Sequence, residues 1–567
     1  MSDYEFKNSL FDLNALKRNG SLQADNILAC DPRLYEKFMI YRSRTVKHDR
    51  TAMSLIFLTG LSAYTSEPIN TFLRGESSIG KTYVTIQVLK FFPKEDVWLL
   101  GGLSPTALVH DKGELQDKNG NPILSMEKPG KDASEEDKET FRRRMMDARY
   151  IVDLTGKILV FLEAPNIETF NKLRPVLSHD EWEISYKFTD KELQARHVVL
   201  RGWPAAIFCS TSEAYVQDLA TRSFTFTPDS SEEKIKAANK LTGSKAAFPW
   251  KFEDNEDFML LQSYINTFKD RMSQLKVAVP FGEEFGDKFP SRFLRSMRDF
   301  AHLKSLVQVK ALFYFAQRPI LVRCLKHEAR KREDLDLTEF ETETQTYVLA
   351  ARQDYDSIME IWKDVRETTE TSAPGHMIKF FHEVVEAEAL RKAEQNRDKL
   401  FDFTLTVKEL TDSWNSKFAD RKSSDSIRHW IDFLCDIGWM TKEPNKEDKR
   451  ENLLRVIKSE KNGNYTESSF SAFFSLQSFK DWLNGDNQIK ENDRVFLREN
   501  FLTDTEASPE QIYAKYYHAE SPQNSFIALD RSQVALPETV KKKTDNQQIV
   551  QFPNFQQSVR KEDASSL

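Results

Sequence analysis

The stretch that decides the reading of this chain is INTFLRGESSIGKT, Ile69–Thr82. Ile69–Arg74 is a short apolar run and predicts a strand. Gly75–Thr82 then matches G-x-x-x-x-G-K-[ST] in full, and Tyr83–Phe92 predicts a helix. Strand, glycine-bounded loop and helix together make an anion site. The glycines allow the backbone N–H groups of Gly75, Glu76, Ser77, Ser78, Ile79 and Gly80 to close around phosphate oxygens. Lys81 would neutralise phosphate charge, and Thr82 would give its hydroxyl to Mg²⁺. The helix that follows points its positive end at the same anion. ATP with Mg²⁺ is the ligand expected here.

Outward from this loop, further apolar runs alternate with helical stretches, so the core is expected to be α/β with a parallel sheet. KILVFLE, Lys157–Glu163, is the second strand of interest. Its end usually carries Asp-Glu, and here Leu162 stands where the Asp would be. Glu163 is the remaining acid and the expected activator of the attacking water. AAIFCST, Ala205–Thr211, leads a third strand into polar residues, where Thr211, with Ser210 next, would sense the γ-phosphate. DLATRSFTF, Asp218–Phe226, offers Arg222 as an arginine finger reaching a neighbouring subunit's nucleotide. PSRFLRSMRDFAHL, Pro290–Leu303, spaces Arg292, Arg295 and Arg298 along a helix, with Arg292 as first choice for a second catalytic cation.

That order of parts resembles the AAA+ superfamily. Glu183–Gly202, EISYKFTDKELQARHVVLRG, alternates apolar and polar residues about a polar tip and predicts a hairpin. A hairpin just before the sensor strand is similar to the DNA-gripping hairpin of helicase-type AAA+ proteins. The polar insertion at 111–150 resembles that of minichromosome-maintenance helicases. GESSIGKT and LRPVLSHD resemble the helicase portion of primase-helicases of phages, plasmids and mobile elements. The resemblance covers about residues 30–320. It implies a hexameric motor with single-stranded DNA in a central pore. Lys187 and Lys191 near the hairpin tip, and Arg196 on its return strand, would then track phosphates.

The expected divisions are an N-terminal helical region (1–68), the ATPase core (69–230), a helical lid (231–325) and a helical connector (326–400). A winged-helix domain (401–485) and a largely flexible tail (486–567) follow. In the winged-helix stretch, Ser423–Met440 predicts a capped helix that would bring Arg428 and His429 to a groove. The wing would carry Lys446, Lys449 and Arg450, mixed with acids. This unit or the tail could equally hold a protein partner.

Net charge is -7, so nucleic-acid contact must come from local patches. The four cysteines are scattered and form no C-x-x-C, which excludes a sequence-local zinc or redox motif. The longest apolar run, Ala52–Tyr64, is too short to span a bilayer, and a soluble, intracellular protein is expected. Asp334-Leu335-Asp336 and the pair His376 and His382 lack the context of metal sites. The other reading open at this point is a nucleotide-gated assembly or regulatory protein with slow turnover.

Overall fold

The structure is a computed structural model. It describes residues 28–75, 77–101, 112–123, 129–130, 133–146, 148–163, 167–189, 195–210, 222–272, 275–290, 295–328, 340–371, 373–395, 404–444, 452–457, 470–485, 494–503 and 505–518. The first part of the chain runs α1 (Leu34–Ser43), α2 (Arg50–Ser62), β1 (Asn70–Arg74), α3 (Lys81–Leu89), β2 (Val97–Leu100) and β3 (Glu114–Gln116). Next come α4 (Glu135–Met146), β4 (Arg149–Asp153), β5 (Ile158–Phe161), α5 (Ile167–Leu177), β6 (Glu183–Thr189), β7 (Ala195–Arg201), β8 (Ala205–Ser210) and β9 (Phe224–Phe226).

β1, β2, β5, β8 and β9 form one parallel sheet in the order β2-β5-β8-β1-β9. β1, β5 and β9 are buried along their whole length; β5 reads as an unbroken apolar run, while β1 and β9 also bury the polar side chains of Asn70, Thr71, Arg74 and Thr225. Period-two alternation assigns the two faces. Ile158, Val160, Ala205 and Ile207 join the larger core with α2 and α3. Leu159, Phe161, Ala206 and Phe208 join a second core with α5. Phe161 and Phe208 stack there at 4.8 Å, and truncating either to Ala would cost about 3–5 kcal/mol.

β6 and β7 pair as an antiparallel hairpin, Glu183 opposite Arg201 and Thr189 opposite Ala195. The hairpin is not a lone arm. β7 also pairs in parallel with β4, giving a four-stranded sheet β3-β4-β7-β6. The insertion at 111–150 therefore contributes β3 and α4 to structure beside the hairpin.

The chain continues through α6 (Glu232–Ala247), α7 (Glu256–Met272), β10 (Lys276–Ala278), α8 (Gly282–Lys288), α9 (Ser296–Phe313), β11 (Ile320–Glu328), β12 (Phe340–Leu349) and α10 (Arg352–Thr371). Two stretches hold strands that the sequence did not suggest. Part of the stretch read as a helical connector is strand, because β11 and β12 pair antiparallel from Ile320–Val348 to Glu328–Phe340. The segment expected to be a largely flexible tail holds folded structure at 494–503 and 505–518, and the rest of it lies outside the described residues. β15 (Arg494–Arg498) pairs with β11, and β16 (Glu506–Ala507) pairs with β15. The reason is tertiary pairing: Thr342, Thr344 and Thr346 alternate with Glu and Gln, and only β11 beside them decides strand over helix.

Between α10 and the closing strands lies a module with its own core. α11 (Gly375–Phe380) passes through a π-helical turn, Phe381–Val385, into α12 (Glu386–Gln395). α13 (Val407–Lys417), α14 (Ser424–Asp436) and the antiparallel pair β13 (Met440–Pro444) and β14 (Asn452–Val456) follow. Leu405 makes an isolated antiparallel bridge to Leu454 of β14. Thr406 and Glu409 form a capping box on α13, and the Ser423 hydroxyl caps α14 by accepting from the Ser426 N–H. α15 (Phe470–Phe473), α16 (Leu476–Asn484) and α17 (Pro509–Tyr516) then return to the larger core. Among the described residues, no helix is long and apolar enough to cross a membrane.

Candidate nucleotide site

The loop Gly75–Gly80 leaves the C-terminal end of β1 and opens directly into α3. Its backbone needs glycine at two positions. Gly75 has φ +139, and a Cβ there would lie 2.5 Å from Ile79 Cδ1. Gly80, the N-cap of α3, has φ +90. Ser78 also takes a positive φ of 68, a strained conformation of the kind that gathers at ligand loops. Lys81 is buried, and its ammonium donates to the Gly75 carbonyl at 2.8 Å. The lysine side chain thus reaches back from the first residue of α3 to the start of the loop. Thr82 is half-buried in the first turn of α3. A cradle that a Cβ would fill, a buried lysine bonded to its first residue and a helix N-terminus behind it fit a nucleotide polyphosphate with its Mg²⁺.

Register places the other expected residues. Phe161 of β5 is opposite Phe208 of β8, and Arg74 of β1 is opposite Ser210. Carrying that register two residues beyond Phe161 sets Glu163 level with Ser210 and Arg74, at the phosphate-loop end of the sheet. Glu163 is exposed there, and Leu162 packs against the core. The backbone of Ser210 reaches the same end. Thr211, Glu76, Arg292 and Lys191 lie outside the described residues, as does the side chain of Arg196.

Arg222 is not at this end. It precedes β9, whose Phe224 is opposite Thr71, so it lies near the start of β1. At about 3.3 Å per residue that is roughly 20 Å from Gly75. Its guanidinium donates to the Ser178 hydroxyl and faces Asp180 at 3.8 Å, just beyond α5. Arg295 is at the same far end. It is buried, holds Asp299 through two bonds of 2.9 Å, and donates to the Ser223 carbonyl. Nearby, burial pushes the His302 imidazole down to about 3. The described part of the arginine-bearing helix therefore packs away from its own chain's phosphate loop. Lys187 is exposed on β6. Arg428 is exposed on α14 but donates to Asp425 at 2.7 Å, on a helix that also carries Asp432 and Asp436.

The residue that sequence reasoning missed is Lys234, in the first turn of α6. Its ammonium donates to the Ile79 carbonyl at 3.0 Å and pairs with Asp49 at 2.5 Å. Burial pushes the Asp49 carboxyl up despite that pairing. The one local signal was Ser231, whose hydroxyl caps α6 by accepting from the Lys234 N–H. Nothing in the sequence joins Asp49 to Lys234.

No protein-family model matches the chain, and no curated protein sequence does. Among solved structures, the Aeropyrum pernix ORC1 protein in complex with DNA is 13% identical with a TM-score of 0.19, covering 78% of this chain and 96% of that one. Drosophila ORC bound to DNA is 12% identical with a TM-score of 0.13, covering 73% and 92%. Likenesses that slight bear on neither fold nor function.

Proposed function

We propose that the chain is an AAA+ type ATPase that works on DNA as a homo-oligomer. One observation carries the reading: a complete phosphate loop seated on a parallel sheet whose strands, numbered by their order in the chain, lie second-third-fourth-first-fifth. That is the arrangement of AAA+ cores, and it puts the loop, Glu163 and the end of β8 together where ligands bind parallel sheets. In this reading Lys81 and the loop amides hold the phosphates of ATP, and Thr82 holds Mg²⁺. Glu163 polarises the attacking water, with Thr211 orienting it. Arg222, bonded to Ser178 and Asp180 at the other end of the sheet from its own loop, is kept as the arginine that would serve a neighbouring subunit's site. Arg292 is kept as a second cation.

The motor form of this reading, a ring that translocates on single-stranded DNA, is supported by the β6–β7 hairpin immediately before β8. Movement of β8 would pass straight to Lys187 and Lys191. The C-terminal module supports a winged helix by its sequence of helix, isolated bridge, two helices and hairpin. The Asp425 bond on Arg428 favours a protein contact over a DNA groove. A slow, nucleotide-gated assembly is the second reading, favoured by Leu162 in the place of an acid.

The test is ATP hydrolysis with and without single-stranded DNA, in the wild type and in Lys187→Ala/Lys191→Ala. The motor reading expects DNA to stimulate hydrolysis. It also expects the double variant to keep basal hydrolysis, lose movement, and lower the salt slope of DNA binding by about one for each phosphate no longer neutralised. An unchanged slope with movement retained would remove the hairpin as the grip.

A further inference from the structure

Helix α6 has sixteen residues and none of them is buried, so apolar packing does not hold it in place. Its polar bonds to the rest of the chain reach the nucleotide loop at Ile79, the helix that follows the loop at Tyr83, and the connection before α2 at Asp49. Lys234 bonds Ile79 and Asp49. Lys245 donates to the Tyr83 hydroxyl at 2.8 Å, and that hydroxyl donates to the Thr45 carbonyl at 2.8 Å. Just past the helix, the Lys251 carbonyl accepts from Arg44 at 2.5 Å.

The bonds around Lys234 form a closed network. Lys234 and Asp49 are 12% and 4% exposed at their side chains. Asp49 also accepts from the Asp229 N–H at 3.0 Å, and Asp229 accepts from both the N–H and the hydroxyl of Ser231. Ser231 in turn caps the turn that carries Lys234. The pair is largely enclosed, Asp49 being buried and Lys234 half-buried, and an enclosed ion pair is by itself weak evidence of a stabilising role. Here the network ends on a particular atom. Ile79 O belongs to the residue just before Gly80, whose φ of +90 starts α3. The Ile79 side chain is fixed from the other side, against Gly75. Lys234 therefore pins the carbonyl of the Ile79–Gly80 peptide, at the turn where the loop's N–H groups enter the helix.

We propose that Lys234 is a positioning residue of the phosphate loop: with its charge balanced by Asp49, it holds the Ile79 carbonyl so that the Gly80, Lys81 and Thr82 amides are presented to a nucleotide's phosphates, and it makes the seating of α6 depend on that loop. The inference rests on the reading of the loop as a nucleotide site.

The experiment titrates the full chain with Mg-ATP, reading affinity, the thermal midpoint, and hydrogen exchange across 79–83 and 232–247. Lys234→Met leaves the buried Asp49 carboxylate without its cation, so the double variant Lys234→Met/Asp49→Asn accompanies it to keep the fold. The expected result is a thermal midpoint within 2 °C or so of the wild type, affinity at least about tenfold weaker, and faster exchange at 79–83 and 232–247. kcat at saturation should stay within about threefold, since no reacting atom is touched. Lys234→Arg should recover affinity to within about threefold. Double-variant affinity within about twofold of the wild type overturns the proposal, as does an arginine variant as weak as the methionine one. A wild-type chain that does not bind Mg-ATP would instead overturn the nucleotide reading itself.

Discussion

The two ends of the parallel sheet are built by different means. At the C-terminal end of β1 the work is done by backbone: Gly75, Ser78 and Gly80 take positive φ, and the buried Lys81 and the half-buried Lys234 each bond a loop carbonyl. At the opposite end it is done by side chains. Arg222 lies on Ser178 and Asp180, Arg295 on Asp299, and Trp203 is packed between His179 and Trp182. Backbone geometry shapes a site for an anion of fixed form. The side chains at the other end are largely enclosed, Arg295 and Asp299 being buried and Arg222 only slightly exposed, so they tie β9 and the start of α9 to the rest of the chain. The contrast teaches that one end is shaped by the backbone and open at its glycines, and the other is closed by paired side chains.

Lys81→Ala gives the largest expected effect. It removes the ammonium bonded to the loop, so Mg-ATP affinity should fall by about a hundredfold or more, whereas Arg222→Ala should leave the affinity of a single subunit within about twofold. Equal losses in the two titrations would erase the distinction between the ends. Glu163→Gln comes next: it keeps shape and loses charge, so binding should persist while turnover falls about a hundredfold or more. Full turnover in a steady-state assay would move the acid elsewhere.

Mixing Arg222→Ala with Lys81→Ala subunits sharpens the comparison further. If the far end serves a neighbour's loop, mixed assemblies contain some intact composite sites, and hydrolysis should rise several-fold above either variant alone. No rise in rings shown to co-assemble would confine Arg222 to its bonds with Ser178 and Asp180.

The smallest effect lies outside the sheet, in the C-terminal module. His382 bridges Glu367 of α10 and Glu386 of α12 at 2.7 and 2.8 Å, and these carboxylates raise its pKa to about 9. A raised folded-state pKa contributes stability that is complete below about pH 6.5 and is lost as pH rises through about 9. The ring is 43% exposed, so the contribution is discounted to about 1 kcal/mol. Unfolding of the module followed between pH 6 and 10 should show that loss, and His382→Gln should flatten it. An identical pH profile in the variant would mean that the bridge contributes nothing.

Much of the first end was legible in the sequence, because its signals are local. The strand, glycines, lysine and helix stand side by side from Ile69 to Phe92, and the hairpin shows as alternation within Glu183–Gly202. What stayed hidden depends on residues far apart. Asp49 and Lys234 meet only through the fold. β12 alternates threonine with charged and amide residues, so neither face reads as core until β11 and β10 flank it. β15 is five residues in a polar stretch, and its strand character comes from the open edge of β11.

That late strand has a consequence for how the protein is made. β11 leaves the ribosome well before β15, and the whole module with its own core is synthesised between them. Until Arg494–Arg498 arrives, β11 presents an edge of unpaired backbone groups, which is a template for pairing with other nascent chains. The module, closed by local helix packing and one hairpin, can fold during that interval. Synthesis that stopped after β14 would thus release a chain with a finished module and an unfinished sheet, open to aggregation along one strand.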